Sequence, residues 1–107
     1  MTACVVLIRR FVKPHRADEY AARVAGQPPV TAPGFIDKTL TRIDRSLDLP
    51  PGLNSFHVAG NPDCVTFVMV ERWASVDDFK AYVPQAGTAD QDEFEMLPRQ
   101  RAVLPVA

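Results

Sequence analysis

Two stretches of the chain are apolar at nearly every position, CVVLI from Cys4 and CVTFVMV from Cys64. Short runs of this kind, rich in β-branched residues and bounded by turn formers such as Pro14 and Pro62, predict strands covered on both faces. The first extends over Ala3 to Val12, the other over Cys64 to Trp73. Phe35 to Ile43 sets Thr39, Thr41 and Ile43 among charges, and Arg101 to Val106 contains Pro105, so both predict edge strands. Ala17, Tyr20, Ala21 and Val24 recur at helical spacing, with Gly26, Pro28 and Pro29 as the stop. Ser75, with Asp78 three residues on, predicts the N-cap of a second helix carrying Val76, Phe79 and Val83 and ended by Pro84. Asp90 to Leu97 predicts a further short helix, closed by Pro98.

The order βαββαβ is that of a ferredoxin-like α+β sandwich with an antiparallel sheet. Strands one and three are expected side by side at its centre, parallel to each other, with strands two and four at the edges. Two helices cover only one sheet face. The other, to which Leu7, Phe67 and Met69 are assigned, needs a cover, and the same face of a second copy supplies it. A homodimer burying more than roughly 1,200 Å² in total is therefore expected.

With 107 residues, 47% hydrophobic and 23% charged, the chain makes one domain, 1–107. Its irregular region, about 45–63, is too long for a hairpin turn and reads as a flap packed on the protein or as a disordered excursion. A net charge of −1 and no basic run longer than Arg9 and Arg10 speak against nucleic acid or an anionic membrane as partner. The N-terminal apolar stretch is too short to span a bilayer and lacks the features of a secretory signal, which points to the cytoplasm. Cys4 and Cys64 are far apart in no metal-type spacing and read as reduced, unlinked, buried thiols, expected near the same end of the sheet. No metal site is expected from the two separated histidines, and no phosphate-binding or dinucleotide glycine pattern occurs.

The segment VERWASVDDF, together with PGF before the second strand, resembles the antibiotic biosynthesis monooxygenase family. The resemblance implies a dimeric α+β barrel with a cavity in each subunit between sheet and helices. Some members of that family oxidise phenolic or anthrone polyketides to quinones with O₂ and no cofactor, and others degrade haem. Trp73 matches the tryptophan lining the family's cavity. The quinone-forming members place an Asn where this chain has Met69, and the positions of the haem degraders' Asn and ligand His are Leu7 and Val83 here, which disfavours haem degradation.

Alternation along the third strand sets Phe67, Met69, Glu71 and Trp73 on one face and Thr66, Val68, Val70 and Arg72 on the other. Trp73 reads either as a core aromatic or as a wall on which a ligand stacks. Glu71 is a carboxylate on an otherwise apolar face, and such a group must pair, be protonated or meet water. One reading pairs it with Arg9, in the same alternation set as Leu7; the other makes it a base that removes a phenolic or α-carbonyl proton. His57, in the long connection, is a second candidate base if that segment folds over the cavity. The expected function is a cofactor-independent monooxygenase acting on a small aromatic ligand bound among Trp73, Phe67, Met69, Arg9 and Leu7. The alternatives are a non-catalytic binding or dimerisation module and an oxygen-independent isomerase or cyclase.

Overall fold

The computed structural model describes residues 2–44, 46–53 and 62–107. Its elements are β1 (Cys4–Val12), α1 (Ala17–Ala25), β2 (Phe35–Arg42), β3 (Val65–Trp73), α2 (Val76–Tyr82), α3 (Ala89–Phe94) and β4 (Glu95–Pro105). The sheet order is β2-β3-β1-β4, with every neighbouring pair antiparallel. This is the expected ferredoxin-like α+β fold, but the central strands do not run parallel. A helical connection returns the chain to the end it started from, so β2 runs with β1; the chain then reverses, and β3, inserted between them, must oppose both.

That direction corrects two expectations. Cys4 lies opposite Trp73, while Val65, next to Cys64, lies opposite Val12, so the cysteines sit at opposite ends of the sheet. Nine residue steps separate them, roughly 30 Å along the strands, far beyond the reach of a disulfide. Both are free and buried, and burial pushes both thiols up.

Directly opposed residues in an antiparallel pair share a face. Cys4, Val6, Ile8 and Arg10 therefore join Trp73, Glu71, Met69 and Phe67 beneath the helices. Leu7 and Arg9, opposite Val70 and Val68, lie on the other side. Phe67 and Met69 thus belong to the helix-covered core, not to the open face. The open face is carried by Val5, Leu7, Val68 and Val70, with Ala102 and Leu104 from β4.

The edge strand β4 starts at Glu95, six residues before its expected start, and α3 ends at Phe94. Pro98 suggests a helix stop, but it occupies an irregularity where Pro98 and Arg99 together oppose Arg10. A proline is tolerated in an edge strand where no ladder bond needs its missing N–H.

Two aromatic clusters fill the space under the helices. At one end Tyr20 stacks on Phe67 at 5.3 Å and meets Phe94 edge-on at 5.4 Å. The guanidinium groups of Arg16 and Arg23 lie over the Phe94 ring, and both bond Glu93, fastening α3 to α1. At the other end Trp73 is enclosed by Phe35, Phe79 and Tyr82, with centroids 5.2 to 5.7 Å from its own.

The Trp73 end is held by a joint between the two segments PGF and WASVDDF. Ser75 caps α2, accepting from the Asp78 backbone N–H and donating to its carboxylate. Gly34, at φ +82°, packs directly against that carboxylate, and the Ala74 N–H donates to its carbonyl at 2.7 Å. A Cβ on Gly34 would stand 2.2 Å from Asp78 Oδ2. Gly34→Ala should therefore lower stability by roughly 1 to 3 kcal/mol, combining left-handed strain with the clash. Thermal denaturation checks this, and an unchanged midpoint would mean that the joint does not hold the turn.

Candidate functional site

A gap in the helix-covered half lies between the two aromatic clusters. It is a cavity of about 350 Å³, within the range that holds a small organic ligand. Its floor is the sheet, through Ile8, Arg10, Lys38, Glu71, Arg99 and Arg101. Its roof is Phe79, Tyr82 and Val83, and its rim the turn after α1 and the segment leading into α3.

Strand order explains why charges meet here. Lys38 of β2 is the cross-strand neighbour of Glu71, and Arg101 of β4 is that of Ile8. Arg10 lies two residues beyond Ile8 on the same face, with Arg99 across from it at the irregularity. The two edge strands thus carry three cations towards the mostly apolar central pair, and β1 adds a fourth.

Glu71 is 7% exposed. One of its oxygens accepts the Trp73 indole N–H at 3.0 Å, and it has no other hydrogen-bond or ion-pair partner among the described residues. The bond is local in origin, since residues i and i+2 of a strand point the same way. The alternative partner, Arg9, sits on the opposite face and is no neighbour of this carboxylate.

The cations differ in how they are compensated. Arg99 lies against Glu95, with contacts of 2.6 to 3.1 Å; burial works against its charge, but the carboxylate outweighs that and its pKa is raised. Lys38 donates to the neutral amide of Gln27 at 3.3 Å, and Gln27 in turn donates to Asp90, which also pairs with Arg23. Arg10 is 9% exposed; its Nη1 donates to the Tyr20 hydroxyl at 2.7 Å while its Nε is buried without a partner among the described residues. Burial pushes the Tyr20 hydroxyl above its usual range in spite of the adjacent Arg10 charge, so it stays neutral.

Of the residues singled out from the sequence, Glu71 lines this cavity. Trp73 is fully buried and approaches it only through the bond to Glu71, and Phe67 is core beneath Tyr20. Met69 lines a separate cleft with Ala21, Val24 and Leu40. Leu7 and Arg9 belong to the open face, and His57 lies outside the described residues. Sequence reasoning missed Arg10, Lys38, Arg99, Arg101 and Tyr82. Arg10 shares parity with Cys4, Val6 and Ile8, but that this is the buried half of β1 emerges only from the pairing with β3. Among the described residues no three of His, Cys, Asp and Glu cluster as a metal site would need, and no helix is long and apolar enough to cross a membrane.

No family model and no curated protein matches the chain. Solved structures do. A protein of unknown function from Nitrosomonas europaea superposes with a TM-score of 0.65 at 16% identity, covering 99% of this chain and 90% of that one. A candidate antibiotic biosynthesis monooxygenase from Bacillus cereus gives 0.59 at 15% identity, over 99% and 94%. SnoaB, a cofactor-independent oxygenase from Streptomyces nogalater, gives 0.58 at 18% identity, over 100% and 95%. Across nearly its whole length, then, the chain has the fold of the antibiotic biosynthesis monooxygenase structures, a ferredoxin-like α+β sandwich.

Proposed function

We propose that the protein is a cofactor-independent oxygenase of small aromatic substrates, with Glu71 as its base. The observation that carries this reading is a buried carboxylate facing a cavity lined by apolar groups and cations, whose other carboxylate, Asp90, is already engaged by Arg23 and Gln27. Such a site takes a proton from an electron-rich phenol or activated methylene and holds the anion in surroundings that favour negative charge. For a methylene flanked by aromatic rings, Glu71 accepts one proton and the carbanion passes one electron to O₂. The carbon radical and superoxide combine into a C–O bond, and the peroxide anion recovers the proton from Glu71. The hydroperoxide then loses water and leaves a carbonyl, so that one O₂ converts CH₂ to C=O and one H₂O. Lys38, the cross-strand neighbour of Glu71, is the cation nearest the reacting carbon, and the other cations of the floor add a positive potential that favours the carbanion and the peroxide. The Trp73 N–H orients one oxygen of Glu71 and leaves the other for the proton. Likeness in fold to SnoaB, itself a cofactor-independent oxygenase, supports the reading.

Glu71→Gln tests it. Glutamine still offers an oxygen to the indole, so stability should stay within about 1 kcal/mol, while O₂ uptake with anthrone-type substrates falls by roughly 10²- to 10⁴-fold. Undiminished uptake in Glu71→Gln would remove the base from the mechanism. Product formation that persists without O₂ would favour an isomerase or cyclase acting through the same proton transfer.

Trp73→Phe separates support from contact. The ring cluster largely survives, but the donor to Glu71 is lost, so stability should drop by roughly 1 to 2 kcal/mol and turnover per folded molecule should fall while ligand affinity holds. A selective loss of affinity would instead make Trp73 a stacking wall.

The reading extends to a homodimer in the cytoplasm, where free buried thiols persist. The unpartnered apolar face around Leu7, Val68, Val70 and Leu104 is its support. Light scattering should give twice the 11.8 kDa chain mass, and Leu7→Arg, which sets a charge at the middle of that face, should give the single mass. A wild-type monomer at micromolar concentration would refute the assembly.

A further inference from the structure

We propose that the natural ligand is an aromatic acid whose carboxylate is held by Arg10 and Arg101, with its reacting carbon or hydroxyl directed at Glu71. The inference rests on the placement of Glu71 as base, and adds to it a substrate class and a second recognition point.

Arg10 is a cation removed from water and left incompletely satisfied. Its Nη1 is taken by Tyr20, a neutral hydroxyl. Its Nε is buried without a partner among the described residues. The Nε and Nη2 edge is the side-on fork that engages the two oxygens of a carboxylate; Arg10 lines the cavity, and a small turn of its guanidinium towards a bound anion would give the buried Nε the partner it lacks. An unpaired buried donor costs on the order of 1 to 3 kcal/mol, more when charged, so a bound anion there relieves a cost that the empty fold carries.

The surrounding charges favour the same occupant. Arg101, beside Ile8 on β4, has no ion pair among the described residues and lines the cavity next to Arg10. Lys38 meets only the neutral Gln27 amide. The two carboxylates lining the cavity are Glu71, bonded to Trp73, and Asp90, already engaged by Arg23 and Gln27. The uncompensated charge is therefore positive and concentrated at the β1 and β4 side, away from Lys38 and β2. Same-face positions along a strand lie about 7 Å apart, which sets the Arg101 and Arg10 rows about 7 and 14 Å from the Glu71 row. An aromatic ring system with the acid at one end and the reactive position at the other spans that separation.

Equilibrium binding tests the proposal without turnover. Hydroxynaphthoate and naphthol, which differ by the carboxylate, are titrated calorimetrically into the full chain. Hydroxynaphthoate should bind at least about tenfold tighter, as expected for a charge-assisted pair in a partly enclosed site. Arg101→Gln, at an exposed position, should reduce that preference without affecting folding. Arg10→Gln should abolish it, and Arg10→Lys, which keeps the charge but loses the fork, should restore only part. If Arg10→Gln fails to fold, Arg101→Gln and Arg10→Lys decide the matter. Equal affinity for the two probes, no binding of either at millimolar concentration, or a preference untouched by the arginine variants would overturn it. The Glu71 mechanism is read separately: absence of O₂ uptake with a retained acid preference removes the chemistry and leaves the binding site, while uptake without acid preference does the reverse.

Discussion

The antiparallel pairing of β1 with β3, Cys4 against Trp73 and Val12 against Val65, is the constraint on which the molecule depends. It decides which half of each central strand lies under the helices, and every later feature inherits that choice. A shift of one residue would separate Glu71 from Arg10: with β1 held in place, Glu71 and Trp73 would turn to the open side and Val70 and Arg72 to the core, leaving Arg10 under the helices alone. The pairing is protected at both ends by aromatic packing. Trp73 locks between Phe35 and α2, while Phe67 locks beneath Tyr20, whose hydroxyl is tied to Arg10 on the neighbouring strand.

The same arrangement explains how a carboxylate survives under the helices. Burial of an unpaired charge costs several kcal/mol, and one indole N–H offsets only part of that. The rest falls to the cavity, whose cations lie around Glu71 at a distance instead of closing on it as a salt bridge. Arg99 illustrates the other solution: pressed against Glu95, it neutralises its partner and leaves neither group free for a ligand. Among the described residues, Glu71 and Arg10 are the two ionisable groups of the floor that the fold buries and leaves without an ion pair.

How far the sequence reveals this depends on the range of the physics involved. Period-two alternation is local, so the placing of Phe67, Met69, Glu71 and Trp73 on one face could be read directly, as could the Ser75 cap with its Asp78. The choice between Arg9 and Arg10 could not be made that way. It requires the register of β1 against β3, a property of the chain's path and not of either strand, because local alternation alone pairs either arginine with Glu71. The edge cations Lys38, Arg99 and Arg101 look in the sequence like solvated strand charges, because only the sheet order carries them to one cavity. Pro98 misled for a similar reason: a helix stop and an edge-strand irregularity have the same local signature.

The bond between Glu71 and Trp73 also gives the molecule an internal optical probe. Trp73 is the only tryptophan of the chain, it is fully buried, and its N–H ends on the carboxylate that faces the cavity. The excited indole is sensitive to charge beside its pyrrole nitrogen. Intrinsic emission therefore originates from a single ring whose immediate neighbour is the candidate base, and protonation of that base or an anion entering the cavity alters the field the ring experiences. The residue that helps hold the floor together is thus also the one through which changes at the floor become visible as light.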